Sequence, residues 1–254
     1  MTQTLHPTPP AAASPPRSTR LARIGLRRYS AAEFLGALVL FFVSLPFLEK
    51  LAFGDVVEAS LVTLVFAMAV VAVGTRRSML IWAALLVLPA MVGKWITHFR
   101  PDLVPPEVFP AAGMMFVGFV VARFLQFILR APRVNSDVLC AGISTYLLLG
   151  LFWMFAYLFV ARLDPGSFAF STGPDSSHVM TRFNAYYFSF VTLSTVGYGD
   201  VTPVSNGARA LAVAEAMTGT LFVAVLIARL VALYSTQDQT AVANGRSEAS
   251  QPNT

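Results

Sequence analysis

Charged side chains are scarce in this sequence, at 12% of 254 residues against 56% hydrophobic. A soluble domain carries about a quarter charged residues, so the shortage excludes a large water-solvated fold and points to lipid as the solvent. Cysteine is scarcer still. Cys140 is the single one, inside an apolar run, which excludes an intrachain disulfide and reads as a buried, inert thiol. Histidine is also rare, and His98 and His178 stand isolated in loops. No Cys/His cluster has metal-ligand spacing, and no glycine-rich phosphate loop or Ser/His/Asp set is present. The sequence shows no enzyme, and no cofactor is expected. Nucleic acid is not an expected partner either. The formal charge is +5, but the arginines sit at the edges of apolar runs rather than in an aromatic-interleaved patch.

What is present is a series of long apolar runs. A helix needs roughly 20 mostly apolar residues to cross a bilayer. Segments 31–49, 56–74, 78–96, 108–130, 137–162 and 207–234 meet that requirement, with Pro46 and Pro89 inside the first and third. A further apolar piece, 181–194, is too short to cross. The expected fold is an all-α membrane protein, with four N-terminal transmembrane helices followed by a helix–re-entrant loop–helix module. Residues 1–30 are rich in Pro, Ala, Ser and Thr and read as a disordered leader ahead of a retained span. Residues 31–133 form the four-helix region, 134–234 the module, and 235–254 a polar tail read as disordered. No soluble regulatory domain is expected at either end.

Arginine placement orients the chain. Arg17, Arg20, Arg23, Arg27 and Arg28 precede the first span, Arg76 and Arg77 follow the second, and Arg130 and Arg133 follow the fourth. The alternate loops carry Glu49, Asp55, Asp102, Glu107, Asp164 and Asp175 with few basic residues. The positive-inside rule then puts both termini in the cytosol and residues 163–206 outside. The expected location is a cell membrane, crossed several times.

Between the last two spans lies "FSFVTLSTVGYGDVTP", residues 188–203. It is neither a good helix nor a good strand. Irregular backbone at membrane depth is tolerated only where it is buried in protein or lines a water-filled path. Glycine permits the positive φ that lets successive carbonyls point the same way. Thr195, Val196, Gly197, Tyr198 and Gly199 would then offer stacked carbonyl oxygens plus a threonine hydroxyl, able to replace the water around a monovalent cation.

Here the sequence resembles the potassium channel family. TVGYG is the selectivity-filter sequence of that family. The resemblance covers residues 137–234: "YYFSFVTLSTVGYGD" matches pore helix and filter, Pro203 follows, and "AEAMTGTLFVAVLIARLV" looks like an inner helix of bacterial one-filter channels without a cytosolic gating domain. It implies a short pore helix, 181–193, whose partly negative C-terminal end favours a cation. It implies K+ held at Thr195, Val196, Gly197 and Tyr198, with Asp200 at the outer mouth and Gly219 as the inner-helix hinge. Related channels hold that carboxylate from the pore helix through a Trp, Tyr or Glu. Tyr187 matches the aromatic position and Val191 replaces the Glu, so Tyr187 is either the anchor of Asp200 or an interfacial aromatic.

Glu215 lies inside the last span, where an ionisable group is costly and functional by default. It either faces the cavity and concentrates cations or hydrogen-bonds toward the pore helix, and its place beside the filter's support favours the second. Arg123, Arg130 and Arg133 are spaced seven then three apart, unlike the every-third spacing of a voltage sensor. Arg130, Arg133 and Arg229 read as snorkelling anchors at the cytosolic boundary. One arginine would gather only about 2.3 kcal/mol per 100 mV, so strong voltage gating is not expected.

A carbonyl ring needs filter strands from four directions and this chain has one, so a homotetramer in a lipid bilayer is the expected assembly. The expected function is passive, potassium-selective conduction. The rivals are a potassium transporter subunit, which would show several filter-like copies per chain, and a weakly selective cation channel. A membrane enzyme would need convergent His, Asp or Glu within the first four spans, and only Glu33 and Glu58 come near.

Overall fold

The computed structural model describes residues 30–48, 54–73, 105, 107–171 and 179–249, with the single positions 85 and 88. Among them the helices are α1 (Ser30–Leu48), α2 (Gly54–Val73), α3 (Val108–Arg130), α4 (Ser136–Leu163), α5 (Arg182–Leu193) and α6 (Asn206–Ala249). Two short strands, β1 (Phe168–Phe170) and β2 (Val201–Pro203), flank α5 in the chain and pair antiparallel, Phe168 opposite Pro203.

Local chemistry marks the helix starts. Asn135 sits in extended backbone before α4, and its side-chain oxygen accepts the Val138 N–H at 3.0 Å. Thr181 does the same before α5, accepting the Asn184 N–H at 3.1 Å. Each cap satisfies an amide that the first helical turn leaves open and contributes ~1 kcal/mol.

Among the described residues three helical stretches are long and apolar enough to cross a membrane: Val108–Arg130, Ser136–Leu163 and Asn206–Ala232. Two shorter apolar stretches, Ala31–Phe47 and Ala59–Val70, lie within α1 and α2. The protein is a predominantly helical membrane protein. The expected span 78–96 lies almost wholly outside the described residues, as does the leader 1–30. One expectation is corrected. Polar composition after Tyr234 predicts disorder, yet α6 continues to Ala249. Once a helix exists, each further residue adds a bond for little extra ordering, and no proline intervenes before Pro252.

Helix α4 is the hub. Its most apolar window is 67% buried, with α3 packed along it and α1 and α5 against it. Missing side chains allow the close approach. A Cβ added at Gly113 would meet the Phe155 ring at 2.9 Å, and one at Gly150 the Phe190 ring at 2.4 Å. Aromatic rings then tie α1 to α5: Phe42 stacks on Tyr186 at 5.4 Å and meets Phe190 edge-on at 5.0 Å. Such pairs add about 0.5–1.5 kcal/mol to the burial itself. Helix α6 contrasts with α4, because its apolar window is only 11% buried within one chain. Val213, Met217, Leu221 and Val225 remain exposed along it.

Candidate functional site

The interrupted segment leaves α5 at Leu193 and turns straight back on it. Thr195 N–H donates to the Thr192 carbonyl at 2.9 Å and Val196 N–H to the Val191 carbonyl at 2.9 Å, with Gly197 N–H reaching the same oxygen at 3.4 Å. Val191, expected only as a missing carboxylate, thus anchors the segment through its backbone. φ is positive at Thr195 (58°), Gly197 (59°) and Gly199 (81°), and not at Val196 or Tyr198 between them. Alternating hands gather successive N–H groups on one side and leave successive carbonyls on the other. Among the described residues nothing donates to the carbonyl oxygens of Thr195, Val196, Gly197 or Tyr198, and these residues are exposed. A row of such oxygens is open to water or to a cation that exchanges its water for them.

Thr195 is the position the glycine pattern did not reveal. A β-branched residue at φ 58° is an outlier costing about 1–2 kcal/mol, and such strain collects where function requires the geometry.

Behind the strand stands Tyr187. Its hydroxyl donates to Asp200 Oδ2 at 2.7 Å, while Asp200 Oδ1 accepts the Val201 N–H at 3.0 Å. The Tyr187 and Tyr198 rings lie nearly parallel, 6.4 Å apart with planes 8° from coincidence. The strand's exit is tied a second way. The β1–β2 ribbon puts Ser171 N–H on the Asp200 carbonyl at 2.8 Å and Val204 N–H on the Ser167 carbonyl at 2.7 Å. Three-residue strands carry too little alternation to be read from sequence, so this ribbon was invisible there.

Two residues of α6 face the same structure. Glu215 is completely buried, accepts from the Tyr157 hydroxyl of α4, and lies with Oε1 2.6 Å from Ser189 Oγ of α5. It points into protein, toward the pore-helix candidate. Gly219 sits where α6 passes the end of α5. A Cβ there would fall 2.2 Å from the Leu193 carbonyl oxygen, and α6 runs through the position unbroken. Farther along, Arg229 Nη2 donates to the Leu129 and Ala131 carbonyls, both at 3.1 Å, closing the C-terminus of α3. Arg123 Nη1 bonds Gln126 of its own helix at 2.6 Å.

A family model described as "Ion channel" matches residues 144–236, which hold the Thr195–Gly199 segment, Tyr187, Asp200, Glu215 and Gly219. Curated relatives agree. Two pore potassium channel c of Oryza sativa subsp. japonica is 38% identical over 84 residues, 31% of this chain and 17% of that one. Protein LctB of Geobacillus stearothermophilus is 31% identical over 122 residues, covering 46% of this chain and 87% of the relative. The chain belongs to the potassium channel family. Voltage-gated potassium channel Kch of Escherichia coli (strain K12) is 27% identical over 144 residues, 56% of this channel chain and 30% of its own. No solved structure matches. Family membership makes the protein a channel.

The Tyr187–Asp200 bond yields a prediction for this channel. A hydrogen bond to a carboxylate contributes roughly 1.5–3 kcal/mol, enough to shift a two-state equilibrium more than tenfold. Tyr187→Phe removes only the hydroxyl and should speed loss of current during sustained opening by about that factor. Asp200→Asn should act alike, and the double variant should be no worse than either single change if the pair works as a unit. Fully additive effects in that cycle would reduce Tyr187 to an interfacial aromatic.

Proposed function

We propose that four copies of this chain form a pore that passes potassium selectively down its electrochemical gradient. The observation that carries the reading is the Thr195–Gly199 segment, with its alternating φ and with exposed carbonyls from Thr195 to Tyr198 to which no described residue donates. Thr195, Val196, Gly197 and Tyr198 hold the ions, and Asp200 marks the outer mouth. Gly199 is the less available ligand, since Ser171 Oγ lies 3.3 Å from its carbonyl oxygen. One strand per chain supplies one quarter of a ring. The apolar face of α6 and the exposed Tyr198 ring are what neighbouring copies cover on closure.

Each subunit contributes six spans, four of them before residue 134, to a bacterial-type cell membrane with both termini in the cytosol. Tyr187 and Glu215 support the filter from behind. A bend at Gly219 would lift α6 away from the Leu193 carbonyl. Without a regular arginine ladder, open probability varies little with voltage.

Crosslinking in native membrane, followed by rubidium uptake into liposomes holding only this protein, tests the reading. The ladder should end at four subunits, and uptake should be blocked by barium. A ladder stopping at two, or uptake indifferent to barium, would contradict it.

A further inference from the structure

The buried cluster around Glu215 holds more hydrogen bonds than its hydroxyls have protons to make. Tyr157 Oη donates to Glu215 Oε2. Ser189 Oγ lies 2.6 Å from Glu215 Oε1 and 2.8 Å from the Gly150 carbonyl oxygen. These are three oxygen–oxygen contacts of hydrogen-bond length, and each needs a proton between its atoms. Tyr157 and Ser189 each bring one proton. A carboxylate brings none. If Glu215 were ionised, Ser189 could serve either Glu215 or Gly150, and the other pair of oxygens would face each other bare.

Among the described residues no positive charge changes that count. No lysine or arginine among them pairs with Glu215. Helix α4 presents Tyr157 and, within electrostatic reach, Tyr146. Helix α5 presents Ser189, while its Tyr187 is committed to Asp200 and its Tyr186 to Phe42 of α1. Arg182, at the other end of α5, lines a small cavity with Phe41 and Phe155. Strand β2, which also meets α6, carries no titratable side chain. Tyr157, Ser189 and Glu215 have no exposed surface within one chain, so a neighbouring subunit cannot reach in with a cation. An unpaired ion in such a site is strongly disfavoured, and the group keeps its proton instead.

We propose that Glu215 is held as the neutral acid, and that Tyr157, Glu215, Ser189 and the Gly150 carbonyl form one directed chain of hydrogen bonds that positions the pore helix. In it Tyr157 donates to Oε2, the acid O–H on Oε1 donates to Ser189 Oγ, and Ser189 donates to Gly150. Every proton is used once and every contact is filled. The chain joins α4, α5 and α6 at one point, four residues before the Gly219 contact with Leu193 on the same inner helix. Tyr157 and Ser189 are therefore positioning residues for the filter. The inference deepens the reading of Glu215 as filter support and rests on it.

Infrared difference spectra of the purified channel at neutral pH test this. Wild type minus Glu215→Gln should show the carbonyl band of a protonated carboxylic acid and no loss of carboxylate bands. Glutamine offers the same donor and acceptor, so the variant is chosen to preserve the packing. Tyr157→Phe gives a second comparison should that variant fail to fold. It should move the acid band to higher frequency, because the carbonyl oxygen loses its donor. Carboxylate bands that vanish in Glu215→Gln or move in Tyr157→Phe would overturn the proposal, as would an acid band indifferent to both changes. Potassium and sodium flux through the same wild-type sample separates the two readings. An acid band with unselective flux sinks the filter alone, and selective flux with carboxylate bands sinks the acid alone.

Discussion

Gly219→Ala should abolish the conducting assembly. The added Cβ would fall 2.2 Å from the Leu193 carbonyl oxygen and 3.1 Å from its carbonyl carbon, and backbone cannot swing aside as a side-chain tip can. Helix α6 must therefore move away from the end of α5. Overpacking of this kind costs about 1–3 kcal/mol, and the cost recurs in each subunit of a tetramer. Leu193 is the last residue of the pore helix, so the displacement acts directly on the strand that begins at Thr195. Thermal melting of the solubilised oligomer should drop by several degrees, with current lost. Gly207→Ala is the control, because nothing lies within 4 Å of its added Cβ and alanine is the better helix former. Equal tolerance of the two substitutions would show that the close seat at Gly219 does not matter.

Gly197→Ala should remove the current by a different route. Nothing lies within 4 Å of the added Cβ in one chain, so packing is not the obstacle. The obstacle is φ of +59°, which costs an L-residue about 1–2 kcal/mol and favours rotating the peptide back to ordinary backbone. That rotation turns a carbonyl out of the row. Insertion and subunit number should stay intact while rubidium uptake falls to background. Uptake that survives would mean the carbonyls of this strand do not hold the ion.

The two substitutions separate what could be read from the sequence from what could not. Hydropathy located Val108–Arg130 to the residue, and α4 and α5 to within one residue at each end, because a membrane span or its interruption writes itself into composition. The positive φ at Gly197 and Gly199 was legible from glycine chemistry, whereas the family resemblance left Tyr187 open between an anchor of Asp200 and an interfacial aromatic. Contacts between distant residues were not legible. Tyr157 and Glu215 are 58 positions apart, and Arg229 reaches carbonyls about a hundred residues earlier. Each looks, in sequence, like a lone polar group in or beside an apolar run. The polar tail of α6 misled for a related reason, since helix propagation depends on the turn before it more than on composition. The family resemblance marks Gly219 as a hinge, whereas its lack of a side chain also makes room for Leu193, a fact about a neighbour that no spacing displays.

In the proposed pore the carbonyl row from Thr195 to Tyr198 selects potassium. The most direct measurement of that selectivity is the reversal potential of current through the purified protein in a planar bilayer, with potassium on one side exchanged stepwise for sodium. The reversal potential should follow the potassium gradient alone and move further with every step of the exchange. A reversal potential that stays at zero when sodium replaces potassium would contradict the account.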